Sequence, residues 1–211
     1  MLRKIRGCVF DMDGTLTAPH SINFARLRQR AGVPPGIDIL DHISSLPSPA
    51  RALAEAVVVE EEAAGLARTR LRPDSGTLLA ALAARGLRRG LLTRNNDAAM
   101  AHTVAMIHAE ATARGLRGET FCTMLSRSFE PPKPSAAPLL HICAQWGVKP
   151  SEVIFVGDSS DDMLCARSGG SVAVLIGDDE EAKPHADHMV EELSEVLGLI
   201  ALYEGGGGEV A

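Results

Sequence analysis

The stretch Cys8-Val-Phe-Asp-Met-Asp-Gly-Thr-Leu-Thr17 contains the end of an apolar run, residues 5–10, and two aspartates separated by one residue. Asp11 and Asp13 follow the run directly, and Gly14 and Thr15 come next. An apolar run that ends in polar residues and a glycine predicts a β-strand with a site at its carboxyl end. Two close carboxylates repel each other, so we expect this pair to hold a cation or to share a proton.

Apolar runs recur along the chain beyond this first strand. The predicted strands cover residues 5–10, 87–93, 120–125, 153–156 and 172–176, with an edge strand at 189–190. Helical patterns lie between them, and strands that alternate with helices favour a parallel sheet. The sequence therefore predicts an α/β fold with a Rossmann-like open parallel sheet in three α/β/α layers.

Residues 18–72 interrupt this alternation, because they show helical patterns and no strand signal. They predict a small α-helical insert after the first strand, with the α/β core formed by residues 1–17 and 73–203. The acidic run at residues 60–62 indicates a solvated helix face. Residues 204–211 are rich in glycine and are predicted to form a flexible tail.

The composition argues against several classes of protein. Aromatic residues make up 3 % of the 211 residues and the formal net charge is −6, which disfavours a nucleic-acid partner. No apolar run approaches the roughly 18 residues of a membrane span. The four cysteines show no C-x-x-C pattern and are expected to be reduced, so we expect a cytoplasmic protein without a membrane partner. Monomer and homodimer both remain open.

Polar residues follow the strands at points where a parallel sheet would bring them together. These residues are Asp11, Asp13, Thr93, Lys133, Asp158 and Asp162. Unperturbed aspartates have a pKa of about 3.9, so the acidic residues among them would be ionised at neutral pH. Because oxygen ligands without histidine or cysteine favour magnesium over zinc, Mg²⁺ is the expected cofactor.

Thr93 and Lys133 add a hydroxyl and an ammonium, which together suit a phosphate group, and Arg94 is a further candidate contact. With the charge neutralised, one aspartate can attack phosphorus and another can move the proton. Each residue alone has a simpler interpretation. Thr93 alone predicts a helix cap, Lys133 a solvated lysine, and Asp-x-Asp-Gly a turn or a fragment of a calcium loop.

At this level of detail the chain resembles the haloacid dehalogenase superfamily of hydrolases, from about Arg6 to Val190. The resemblance rests on four motifs in the family's order. They are Asp11-Met-Asp-Gly-Thr-Leu-Thr17, Leu91-Leu-Thr-Arg-Asn95, Lys133-Pro134 and Gly157-Asp-Ser-Ser-Asp-Asp162. The first motif is highly specific and the fourth is specific, whereas the second and third gain their weight from their order. The helical insert resembles the family's cap.

The resemblance implies a role for each matching residue. Asp11 would be the nucleophile and a magnesium ligand, and Asp13 would be the acid/base, with its backbone carbonyl on the metal. Thr93 would bind the phosphate, and Lys133 would steady both nucleophile and phosphate. The metal would also be held by Asp158 directly and by Asp162 through water, with Asp161 as a competing candidate.

Asp13 also indicates a branch of the family, because the dehalogenases that name it lack an aspartate at this position. The expected function is a magnesium-dependent phosphatase that hydrolyses a small phosphorylated metabolite through an aspartyl-phosphate. Two alternatives stay open. One is a phosphomutase of the same superfamily, and the other is a catalytically silent regulatory or binding protein on this fold.

Overall fold

The structure is a computed structural model that describes residues 4–19 and 23–205. Its strands are β1 (Gly7–Phe10), β2 (Arg88–Leu92), β3 (Thr123–Leu125), β4 (Val153–Gly157), β5 (Val172–Ile176) and β6 (His188–Val190). They form one sheet in the order β3-β2-β1-β4-β5-β6, and every pair is parallel. The predicted open parallel sheet is confirmed, and each predicted strand is present with its ends shifted by at most three residues.

The helices follow the predicted alternation. They are α1 (Phe24–Ala31), α2 (Ile39–Ser45), α3 (Ser48–Arg68), α4 (Ser75–Ala84), α5 (Asp97–Ala113), α6 (Ala137–Trp146), α7 (Ser160–Gly169) and α8 (Val196–Gly205). Short 3₁₀ turns lie at Pro150–Glu152, Lys183–His185 and Leu193–Glu195. Among the residues that the structure describes, no helix has both the length and the apolar character needed to cross a membrane.

The core of the fold lies on both faces of the sheet. Strands β1, β4 and β5 are buried along their whole length, as expected for central strands covered on both sides. Apolar residues of α4, α5 and α8 pack on one face, and those of α6 and α7 pack on the other. These two apolar clusters make the three α/β/α layers that the sequence predicts.

Two glycines in neighbouring strands make room for the only tryptophan of the chain. A Cβ atom on Gly7 would lie 2.6 Å from the Trp146 ring, and one on Gly90 would lie 3.1 Å from it. The indole nitrogen of Trp146 donates a hydrogen bond to the Thr123 hydroxyl at 3.0 Å. The absence of side chains at these strand positions therefore lets the end of α6 pack directly on the sheet.

The strand order reverses beside β1. The chain runs outward from β1 through β2 to β3, and then returns to form β4 on the other side of β1. Ligands of open α/β sheets bind at the carboxyl ends of the strands, at such a switch point. The carboxyl ends of β1, β2 and β4 lie next to one another here, and they carry the aspartates and the threonine singled out above.

Residues Pro19–Arg70 form a compact unit of their own, built from α1, α2 and α3 around a small apolar cluster. One prediction for this unit is wrong, because Glu61 is fully buried rather than solvated. Arg26 donates two hydrogen bonds to the Glu61 carboxylate, at 2.8 and 2.7 Å, and Arg30 donates a third at 2.7 Å. Salt bridges from this acidic run therefore connect α3 to α1.

The other compact unit combines the chain up to Ala18 with the chain from Leu71 onwards. An antiparallel bridge between Thr17 and Leu71 holds its two crossing segments side by side. That the helical unit is a separate cap domain stays a prediction. Of the predicted tail, Glu204 and Gly205 belong to α8, and residues 206–211 lie outside the described residues.

Candidate active site

Asp11 is the first residue after β1, and it is buried. Its backbone N–H donates to the Val156 carbonyl of β4 at 2.9 Å, which continues the pairing of the two strands by one residue. Gly14 then turns the chain with a φ of +78°, a value that glycine adopts without strain. The side chain of Asp11 is thus fixed at the carboxyl end of the central strand.

Lys133 connects three parts of the site. Its ammonium donates to Asp11 Oδ1 and to Asp162 Oδ1, each at 2.6 Å, and to the Leu92 carbonyl of β2 at 3.2 Å. These three acceptors match the three N–H groups of an ammonium. The side chain is 4 % exposed, so its charge is compensated by the two carboxylates rather than by water.

Asp158 and Asp162 come from the turn between β4 and α7. Ser159 caps the helix: its hydroxyl accepts from the Asp162 N–H, while Asp162 Oδ2 accepts from the Ser159 N–H at 3.2 Å and from its hydroxyl at 2.6 Å. This reciprocal capping orients Asp162 so that its other oxygen receives the Lys133 ammonium. Asp162 is 1 % exposed, whereas Asp158 is partly exposed.

Two glycines allow these carboxylates to come close to the backbone. A Cβ atom on Gly14 would lie 1.8 Å from Asp158 Oδ2, and a Cβ atom on Gly157 would lie 2.3 Å from the Cβ of Asp162. Neither position could therefore carry a larger side chain with the present geometry. The close approach of these carboxylates thus requires glycine at these positions of the first and fourth motifs.

Asp11, Asp158 and Asp162 form a group suited to a metal ion. One carboxylate oxygen from each lies within 4.8 Å of the others. With Lys133 included, the four side chains carry a formal charge of −2, which a divalent cation would neutralise. The donor set consists of carboxylate oxygens, the ligands that hard cations prefer, so these residues fit a metal of that class.

The competing candidate for this group, Asp161, has a different partner. Its Oδ2 accepts a hydrogen bond from Arg94 Nη1 at 2.9 Å, and both side chains are about one third exposed. The described metal-capable group contains Asp162 and does not include Asp161. The structure therefore brings Asp162 to Asp11 and pairs Asp161 with the arginine that follows Thr93.

The crowding of carboxylates affects their protonation. Burial raises the pKa of Asp11 well above its usual range, and Asp162 and Asp158 raise it further, while Lys133 opposes the shift. Burial, with the charge of Asp162, raises the pKa of Asp158 to about 7. Burial lowers the pKa of Lys133, but Asp11 and Asp162 raise it by more, so the ammonium stays charged. In the absence of a cation, it is therefore energetically unfavourable for all the carboxylates of the site to be ionised together.

Thr93, at the end of β2, is buried and continues the sheet through its N–H, which donates to the Leu125 carbonyl at 2.9 Å. Its hydroxyl accepts from the Asn95 N–H at 3.1 Å and from Asn95 Nδ2 at 3.2 Å. Thr93 thus directly follows Leu92, whose carbonyl accepts a hydrogen bond from the Lys133 ammonium. The guanidinium of Arg94 reaches α7 through Asp161.

The sequence prediction missed two residues that contact Asp13. Asn95 Nδ2 donates to Asp13 Oδ2 at 2.5 Å, and the Thr17 hydroxyl donates to Asp13 Oδ1 at 3.2 Å. Thr17 lies four residues after Asp13 in a tight turn, and Asn95 lies two residues after Thr93. Both residues lie inside the motifs quoted above, which could have marked them as candidates. Their positions in the sequence do not show that their side chains contact Asp13.

The sequence of this chain is similar to those of known proteins. The family model of haloacid dehalogenase-like hydrolases matches residues 5–170. A haloacid dehalogenase-like hydrolase domain-containing protein of Arabidopsis thaliana is 33 % identical over 93 % of this chain and 84 % of its own length. The N-acetylmuramic acid 6-phosphate phosphatase of Pseudomonas aeruginosa is 29 % identical over 93 % of this chain and 95 % of its own length.

A similar fold is also found among solved structures. The crystal structure of a predicted phosphoglycolate phosphatase from Haemophilus somnus superposes with a TM-score of 0.70. The match covers 94 % of this chain and 99 % of that one, at 20 % sequence identity. At this identity the likeness concerns the fold, and it agrees with the parallel sheet and helical layers described above.

Proposed function

The chain belongs to the haloacid dehalogenase-like hydrolase family, and we propose that it is a magnesium-dependent phosphatase acting on a small phosphate monoester through an aspartyl-phosphate. The single observation that carries this proposal is the contact between the buried Lys133 ammonium and Asp11, next to Asp158 and Asp162. There the carboxylates could hold a cation, Asp11 could act as the nucleophile, and the ammonium offers a positive charge for phosphate. The phosphatase from Pseudomonas aeruginosa supports the choice of phosphorus chemistry.

The carboxylates of Asp11 and Asp158 and the backbone carbonyl of Asp13 would hold the Mg²⁺, with Asp162 supporting it through water. When bound, the cation neutralises charge on the carboxylates and on the phosphoryl group. Asp11 then remains ionised at neutral pH although burial raises its pKa in the metal-free site. Lys133 contributes a second positive charge and fixes the orientation of the Asp11 carboxylate.

In the first step an Asp11 carboxylate oxygen forms a bond to phosphorus while the bond from phosphorus to the ester oxygen breaks. The departing oxygen takes a proton from the Asp13 carboxylic acid, which leaves Asp13 as a carboxylate. In the second step Asp13 removes a proton from water as that water attacks phosphorus, and the bond between the Asp11 oxygen and phosphorus breaks. Inorganic phosphate is released, and both aspartates return to their starting forms.

Thr93 would bind the phosphoryl oxygens through its hydroxyl and through the amide that follows it. Lys133 would contact the same group by exchanging one of its three present acceptors for a phosphoryl oxygen. Both side chains are buried at the strand ends, so their contacts with phosphate would be screened little by solvent. The Nη1 group of Arg94 donates to Asp161, which directs its guanidinium towards α7. We therefore assign Arg94 a secondary part in phosphate binding.

The test is hydrolysis of 4-nitrophenyl phosphate by the purified protein with Mg²⁺. We expect turnover that is lost on chelation of the metal and lost in Asp11→Asn, because an amide cannot replace the nucleophilic carboxylate. Asp41→Asn is the matched control, since it removes an exposed carboxylate in α2, and it should retain activity. Turnover by Asp11→Asn at the wild-type rate would refute the mechanism.

A further inference from the structure

The carboxylate of Asp13 has a defined orientation, because each of its oxygens receives a donor from a different segment. Asn95 Nδ2 lies 2.5 Å from Oδ2, and the Thr17 hydroxyl lies 3.2 Å from Oδ1. Thr17 is fully buried, and its hydroxyl is also 3.3 Å from the Met12 carbonyl. The two oxygens of Asp13 are therefore distinguished by their partners in the described structure.

Asn95 is itself held in place on the loop after β2. Its N–H donates to the Thr93 hydroxyl at 3.1 Å, and its carbonyl accepts from the Arg127 N–H at 2.9 Å. The same side-chain amide that reaches Asp13 lies 3.2 Å from the Thr93 hydroxyl. Asn95 thus connects the loop after β1 to the loop after β2 through one side chain.

We propose that Asn95 is a positioning residue for Asp13, holding its carboxyl group where it gives a proton to the departing ester oxygen. This inference rests on the proposed phosphatase function. An asparagine suits the role because its amide donates hydrogen bonds without adding charge to an already acidic site. Thr17 assists from the other side of the carboxylate, and Asp13 remains the group that transfers the proton.

The role predicts a dependence on the leaving group that a purely structural residue would not show. Benzyl phosphate releases an alkoxide that needs a proton, whereas 4-nitrophenyl phosphate releases a stabilised phenolate that leaves without one. The kcat/KM value reports the steps up to this departure. In Asn95→Ala we expect kcat/KM for benzyl phosphate to fall about 100-fold, the scale of general acid catalysis. For 4-nitrophenyl phosphate the loss should be much smaller.

Asn96→Ala is the matched control, because Asn96 caps α5 by accepting from the Ala99 N–H at 2.8 Å. Its loss should lower the melting temperature and leave the ratio of kcat/KM for the two esters unchanged. Asp13→Asn should show the same selective loss as Asn95→Ala. Thr17→Val, which removes the other donor to Asp13, provides the same comparison if Asn95→Ala does not fold.

Two outcomes separate this inference from the proposed function. If the wild type hydrolyses both esters and Asn95→Ala loses the same factor on each, the positioning role is overturned and the phosphatase function stands. If the wild type hydrolyses neither ester, the proposed function fails, and the positioning role fails with it. A selective loss for benzyl phosphate supports both.

Discussion

Asp11 and Asp13 are separated by one residue, yet their surroundings differ in kind. Asp11 is buried against the Lys133 ammonium, and Asp13 is partly exposed between the neutral donors of Asn95 and Thr17. The positive charge of Lys133 favours the ionised form of Asp11, whereas the two neutral donors orient the carboxyl group of Asp13. These contacts support the proposed roles of Asp11 as the nucleophile and of Asp13 as the acid/base.

Lys133 offers a first prediction at this scale. Lys133→Met should lower the free energy of unfolding of the metal-free protein at pH 8 by about 3 kcal/mol, because two buried carboxylates lose their counter-charge. Lys183→Met is the control, since Lys183 pairs with the exposed carboxylates of Asp178 and Glu180, and it should change little. Urea unfolding measures both, and equal stabilities would contradict the role of Lys133.

The raised pKa values of Asp11 and Asp158 give a second prediction, on pH. The folded, metal-free protein keeps protons that the unfolded chain releases near pH 4, so its stability should fall as pH rises from about 4 to about 7. Mg²⁺ requires deprotonated ligands, so the rise in melting temperature on adding Mg²⁺ should be larger at pH 8 than at pH 5.5. An equal rise at both pH values would argue against these ligands.

Much of the site could be predicted from individual residues, because the acidic motifs have a chemistry of their own. Asp11, Lys133, Asp158 and Asp162 are brought together as their positions after the strands suggest. The choice between Asp161 and Asp162 could not be made in advance. It depends on the rotation of α7, which turns one carboxylate towards Lys133 and the other towards Arg94.

At the scale of elements, the strands could be predicted well because buried parallel strands form continuous apolar runs. Their spatial order could not, since it is set by pairings between distant segments such as β1 with β4. Glu61 is a case in which the sequence pattern predicted the wrong burial. A run of three glutamates favours a solvated face, and only the packing of α1 on α3 provides the two arginines that allow one of them to be buried.

Two helical glycines give a prediction for the elements. A Cβ atom on Gly76 in α4 would lie 2.8 Å from the Ala111 backbone nitrogen of α5. One on Gly198 in α8 would have no neighbour within 4 Å among the described residues beyond its own helix backbone. Gly76→Ala should lower the free energy of unfolding by about 1–3 kcal/mol through overpacking. Gly198→Ala should raise it by about 0.5–1 kcal/mol, because alanine favours the helix. Chemical unfolding of both variants tests the pair, and a destabilised Gly198→Ala would count against this packing.

At the scale of the whole molecule, every residue of the proposed metal site belongs to the unit that contains the sheet. The bridge between Thr17 and Leu71 already holds the two ends of that unit together where the helical unit is inserted. The site is therefore expected to form without the helical unit.

Replacement of residues 19–70 by a short glycine-serine linker tests this independence. We expect the shortened protein to fold cooperatively and to gain melting temperature with Mg²⁺, as we expect of the full chain. A shortened protein that folds but shows no response to Mg²⁺ would mean that the helical unit completes the metal site.

The formation of an aspartyl-phosphate on Asp11 is the central claim, and trapping it is the most direct test. The protein is mixed with a ³²P-labelled phosphate ester and Mg²⁺, quenched in acid within the first turnover, and digested. We predict label on the peptide that contains Asp11, and none in Asp11→Asn. Release of labelled inorganic phosphate, with no more protein-bound label than in Asp11→Asn at any quench time, would contradict the account.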